Sequence, residues 1–141
     1  MKDKERLILN YIKQHTTLNL REEVYEYSRF DAQGKDNMGN NFIVELKHRD
    51  EHYDDFLLEF DKYVYNKEYA KRINASFLYA VSTENKIYIY NISDIDNVGI
   101  FRYRWRWENM PRSTEHGCND KIKKFVTYLP TSLAIMEFDY D

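Results

Sequence analysis

Two charged residues interrupt an otherwise apolar run, Phe42-Ile43-Val44-Glu45-Leu46-Lys47. Side chains alternate faces along a strand, so Glu45 and Lys47 share one face, roughly 6.6–6.8 Å apart. A charge set among such neighbours is costly unless it is paired or put to use. Thirteen residues separate Glu45 from Asp31, which lies in Arg29-Phe30-Asp31-Ala32. An antiparallel partner strand carrying Asp31 could put its carboxylate beside that of Glu45. That placement suits Mg²⁺, or Mn²⁺ in its place, because such an ion takes a few hard oxygens and keeps several waters. A lysine beside it can orient or deprotonate an attacking water, or steady charge on a phosphate. These residue types and spacings imply metal-assisted phosphodiester hydrolysis. The competing reading of E-x-K on a strand is a surface ion pair worth about 0–1 kcal/mol.

The elements that must position these residues can be read from periodicity. Leu7, Ile8, Tyr11 and Ile12 form a helical stripe between Lys4 and Gln14. Val24, Tyr25, Tyr27 and Phe30 predict a strand over Leu20 to Gln33. A polar turn with two glycines follows, and then a returning strand from Phe42 to Arg49. Phe56, Leu57, Phe60, Tyr63 and Val64 predict one long helix from Tyr53 to Ile73. Ala75 to Ser82 and Ile87 to Tyr90 predict a second hairpin. The reading is completed by a strand over residues 100–108, a loop from Met110 to Asp120, and a strand from Lys121 to Leu129 stopped by Pro130. The tail after Ser132 is unassigned. Helices alternating with strands predict an α/β or α+β layer fold with at least one helix on each side of a central sheet.

The order helix, Asp31, Glu45-x-Lys47, helix resembles the PD-(D/E)XK nuclease superfamily, the restriction-endonuclease-like proteins, over roughly residues 4–92. Phe30 stands where that family often has proline. The resemblance implies an α/β fold with a central mixed β-sheet flanked by helices. It also implies a Mg²⁺-dependent nuclease acting on DNA, with RNA as the alternative, of the kind found in phages, mobile elements and bacterial defence. By motif, Asp31 and Glu45 are the implied metal ligands, Lys47 acts on the water or the transition state, and Glu5 of the first helix is a further ligand. The following helix commonly adds a polar residue. Glu59 and Lys62 are the candidates, and Lys62 is preferred. Because the superfamily contains many degenerate members, the implied alternative is a catalytically inactive domain that binds a protein or a nucleic acid.

Composition sets the frame. A chain of 141 residues predicts a single domain, with a nuclease-like core near 4–92 and a basic, aromatic β extension near 100–130. Hydrophobic residues at 43% and charged ones at 32% exclude a disordered chain. A lone cysteine, Cys118, excludes a disulfide framework and a Cys-rich zinc motif. No apolar run is long enough for a bilayer, and the N-terminus lacks a signal-like segment, so a cytoplasmic location is the expectation. A homodimer is left open. Net charge is −3, yet residues 100–128 hold seven Lys and Arg against three acids. Within them, Phe101-Arg102-Tyr103-Arg104-Trp105-Arg106-Trp107 puts aromatics on one face and arginines on the other. Arg102, Arg104 and Arg106 are therefore candidate nucleic-acid contacts, since guanidinium forks suit phosphate oxygens. Pairing with the acid-rich segment from Asp50 to Asp61 is their structural alternative.

Overall fold

The computed structural model describes residues 1–23, 29–99, 101–111 and 121–140. It opens on α1 (Asp3–His15), with acids in its first turn and Lys13 and His15 in its last, as the helix dipole favours. Thr16 closes it, both its N–H and its hydroxyl donating to the Ile12 carbonyl. The single strand expected over Leu20 to Gln33 is two strands, β1 (Asn19–Glu22) and β2 (Ala32–Lys35), paired antiparallel. Gly34 explains how they lie so close. A Cβ there would sit 1.9 Å from the Asn19 carbonyl oxygen. Val24, Tyr25 and Tyr27 lie outside the described residues, as do Cys118 and the Arg112-Ser113-Thr114 segment.

The returning strand is β3 (Asn41–His48), antiparallel to β2 with Ala32 opposite Val44. The helix expected from Tyr53 does not begin there. Residues 55–59 form β4 (Asp55–Glu59), and α2 (Phe60–Arg72) starts only afterwards. Tertiary pairing overrides local periodicity: Phe56 and Leu58 alternate into the core while β4 pairs with a distant strand, β8 (Lys121–Pro130). β5 (Ala75–Ser82) and β6 (Lys86–Asn91) follow as expected. A short helix absent from the sequence reading, α3 (Ile92–Val98), comes next. It is capped by the Asn91 side chain and stopped by Gly99 in the left-handed region. Of the strand expected over residues 100–108, only the end is paired, as β7 (Arg106–Pro111) against β8. The unassigned tail supplies β9 (Met136–Asp139), which Lys86 anchors through Glu137 at 2.8 Å and Asp139 at 3.1 Å.

Six strands form the main sheet in the order β1-β2-β3-β5-β6-β9, with β3 and β5 its parallel pair. Alternation sorts the two faces. Val44, Leu46, Leu78, Ala80, Ile87 and Ile89 pack with α1 residues Ile8, Leu9 and Ile12. Ile43, Phe77, Tyr79, Val81 and Tyr90 pack on the other side with α2, α3 and the second sheet, β4-β8-β7. This is a central mixed sheet flanked by helices. Among the described residues, no helix is long and apolar enough to cross a membrane.

Candidate active site

Asp31 ends the β2 ladder with its side chain. Its N–H donates to the Val44 carbonyl at 2.9 Å, while its Oδ2 accepts the Leu46 N–H at 2.7 Å. The two bonds straddle Glu45, so the carboxylate is fixed across the residue between them. Asn66 of α2, fully buried, donates from Nδ2 to the Arg29 carbonyl at 3.3 Å and holds the turn that delivers Asp31. The sequence reading missed Asn66. Its only signal was an amide close to Ala70 on the inward side of the helix.

Glu45 is 4% exposed and faces α2. Its Oε1 lies 3.2 Å from Nζ of Lys62, in the first turn of that helix, while its Oε2 is buried with no hydrogen-bond partner. Burial first, then the Asp31 charge, pushes the Glu45 carboxyl up to about 8, against the pull of Lys62 and Lys47. Burial also works against the Lys62 ammonium, but Glu45, Asp31 and Glu59 more than offset it. The ammonium therefore stays charged, and the carboxyl is the partner that yields. Lys47, on the same face of β3, is shifted down by burial and by Arg49, despite Glu45 and Glu59. Asp31 is raised by burial, against its bond from Leu46 and the charges of Lys62 and Lys47.

Glu5 reaches this group from α1 on the opposite face of the sheet. It is 9% exposed, raised by burial and then by Asp31, and lowered by Lys47. The structure thus gathers Glu5, Asp31, Glu45, Lys47 and Lys62 into one electrostatic neighbourhood. Among the described residues, no three carboxylate, histidine or cysteine side chains are grouped as a metal cage, so Glu5 stands at the margin of the Asp31–Glu45 pair. Glu59 is taken up by Lys124 at 3.1 Å. His48 faces the other way and bonds the Ser82 hydroxyl at 2.8 Å.

No family model and no curated protein sequence matches the chain. Among solved structures, it is similar to Hjc, a Holliday junction resolvase from the archaeal hyperthermophile Archaeoglobus fulgidus. The TM-score is 0.57 over 92% of this chain and 89% of that one, at 14% identity. This is the restriction-endonuclease-like fold. At that identity, the likeness is one of architecture.

Within the restriction-endonuclease-like fold, the donor set fits a small divalent cation. Asp31 and Glu45 offer hard oxygens, and Oε2 of Glu45 is a buried oxygen with no hydrogen-bond partner among the described residues. The arginines lie elsewhere: Arg106 opens β7 of the second sheet, and Arg102 and Arg104 lie in the unpaired stretch before it. Arg102, Arg104 and Arg106 are exposed and line a cleft of about 460 Å³ with Thr127 and Tyr128. Phe101, Tyr103 and Trp105 turn inward, as alternation predicts. None of the three arginines pairs with the Asp50–Asp61 segment among the described residues. Arg106 is bound instead to Glu108, Nε to Oε1 at 2.6 Å.

Proposed function

We propose that this chain is a Mg²⁺-dependent nuclease that hydrolyses phosphodiester bonds in DNA. The observation that carries the reading is the buried, partnerless Oε2 of Glu45 beside the Asp31 carboxylate, with Lys47 on the same strand face. Asp31 and Glu45 would hold the ion. When bound, it supplies polarisation of a phosphoryl oxygen and a lowered pKa for water. Lys47, whose charged form burial disfavours, would give its own proton to solvent, take one from the attacking water as the neutral amine, and release that to solvent after cleavage. The water oxygen forms the new bond to phosphorus, the bond to the leaving oxygen breaks, and that oxygen is protonated from solvent. Lys62 pulls Glu45 toward its ionised form against burial. Of the exposed arginines, Arg102 and Arg104 would meet the backbone of the DNA. A cytoplasmic setting in phage, mobile-element or defence biology, and a homodimeric state, belong to the same proposal.

A second reading has one observation in its favour. The direct Lys62–Glu45 ion pair supplies a resident cation, as a catalytically idle binding domain would. Incubation of the protein with plasmid, linear duplex and single-stranded DNA separates the two. Cleavage with Mg²⁺, lost in chelator and lost in Glu45→Gln, is the expected result. DNA binding without cleavage in Mg²⁺ or Mn²⁺ would favour the idle domain.

A further inference from the structure

The alternation of Glu45 and Lys47 continues for one more step. Arg49 lies just past β3, and its N–H donates to the Ser82 carbonyl at 2.8 Å, so its backbone still tracks β5. Its guanidinium emerges on the Lys47 side and lines a cleft of about 300 Å³ with Tyr53, Leu57 and Tyr128. That cleft and the one holding Arg102 and Arg104 share Asp55 and Tyr128 as walls. The two clefts adjoin there, so Arg49, two residues beyond Lys47, and the far arginines flank β4 in succession. Among the described residues, Arg49, Arg102 and Arg104 form no ion pair. Three guanidinium groups without a carboxylate partner, Arg49 bonded only to the neutral Tyr79 hydroxyl, fit a polyanion.

Arg106 differs from them. Besides its Glu108 partner, it stacks 4.9 Å from the ring centroid of Tyr128, which itself bonds Glu108. Its donors are committed to holding β7 and β8 together.

We propose that Arg49, Arg102 and Arg104 form a track for the phosphate backbone of a DNA duplex on one side of the cleavage site, and that Arg106 is a structural latch outside it. This rests on the nuclease reading and extends it from where the DNA is cut to how far along it is held. β4 sets the length. Glu59 acts on Lys47 and Lys62, whereas Asp55 stands at the junction of the clefts. Four residues of strand separate them, roughly 14 Å. Strand phosphates recur about every 3.4 Å along a duplex axis, so the track reaches about four base pairs from the cut. Asp55 is the one acid shared by both clefts, and it opposes a phosphate there.

The test uses the full chain and fluorescently labelled duplexes of about 24 and about 8 base pairs, with affinity followed against salt in chelator and cleavage followed in Mg²⁺. Arg49→Gln should weaken binding at both lengths. For Arg104→Gln the loss should grow with duplex length. Each should reduce the slope of log affinity against log salt by about 0.9 per lost contact. Asp55→Asn should tighten binding of the longer duplex. Arg106→Gln should lower the melting temperature and keep the slope. Wild-type slopes in both Arg49→Gln and Arg104→Gln, with a wild-type protein that binds and cuts, would overturn the track and leave the nuclease standing. Binding without cutting would remove the nuclease reading while the slopes still judge the track. No binding by the wild type would overturn both.

Discussion

Lys62 Nζ sits 3.2 Å from Oε1 of Glu45, a half-exposed ammonium holding a carboxylate that is almost wholly buried. The dependence runs mainly one way, because solvent can replace Glu45 for Lys62 but not Lys62 for Glu45. Lys62→Met should therefore cost about 1–3 kcal/mol, less than breaking a fully buried pair. Adding Glu45→Gln to that variant should recover part of the loss. Urea denaturation of the four proteins of the cycle gives the coupling. Strictly additive losses would show that the pair contributes nothing.

The same burial sets a pH dependence in metal-free protein. Glu45 is pushed from an ordinary 4.5 up to about 8, by burial and then by Asp31, and Asp31 and Glu5 are raised mainly by burial. A folded-state pKa above the unfolded one means the native state binds more protons between the two values. The associated stability is complete below the unfolded pKa and is lost as pH rises through the folded one. Asp36 and Glu22 are shifted down by hydrogen bonds, so their contribution is lost only at more acid pH. In chelator, the melting temperature should fall between about pH 5 and pH 8, and Glu45→Gln should flatten the fall. Mg²⁺ should raise the melting temperature most at the alkaline end. An equally steep fall in the variant would assign the dependence to other groups.

In the proposed mechanism the carboxylates and Lys47 have separable duties. Asp31→Asn keeps an oxygen for the Leu46 N–H, so the turn survives while a charge is lost. It should weaken both Mg²⁺ binding and cleavage. Lys47→Ala should leave Mg²⁺ binding nearly intact and slow cleavage by about 10²–10⁴-fold, the usual contribution of a positioned acid–base group. Calorimetric titration with the metal alone, alongside turnover, makes the comparison. Unchanged metal affinity in the Asp31 variant would remove Asp31 as a ligand.

What the sequence disclosed and what it hid follow from the range of the forces involved. Glu45 and Lys47 stood out because a charge in an apolar strand is costly, and the alternation alone put them on one face. The layering of helices on a sheet followed from their order, and the choice of fold from the resemblance carried by Asp31, Glu45 and Lys47. β4 was hidden because Phe56 and Leu57 fit a helical stripe as well as a strand, and the deciding partner, Leu129 opposite Phe56, lies more than seventy residues away. β9 was hidden for the same reason: a short, acidic segment becomes a strand only beside β6, with Lys86 neutralising Glu137 and Asp139. Arg49 escaped notice because its role depends on the cleft that β4 and β8 build, and no local pattern marks it.

Asp96 ties the arginine segment to the rest of the molecule. From α3, its Oδ1 accepts the Tyr103 hydroxyl at 2.8 Å, and its Oδ2 accepts the Tyr63 hydroxyl at 2.9 Å and pairs with Lys67 at 2.9 Å. One carboxylate thus joins α2, α3 and the extended stretch that presents Arg102 and Arg104. Both phenols are shifted up, by burial and by their bonds to this carboxylate, so they remain donors at any physiological pH. Asp96→Ala strands two half-buried hydroxyls at about 1–3 kcal/mol for a fully buried group and less here, while the exposed Lys67 adds little. The functional consequence should exceed the stability loss. With Tyr103 released, Arg104 keeps its N–H bond to the Thr127 hydroxyl at 3.2 Å and the packing of Trp105 on Phe60, Tyr63 and Phe125. DNA affinity measured well below the melting temperature should then drop several-fold, and Asp96→Asn, which keeps one acceptor, should fall between the two. Full affinity in a destabilised Asp96→Ala protein would show that aromatic packing alone sets the arginines in place.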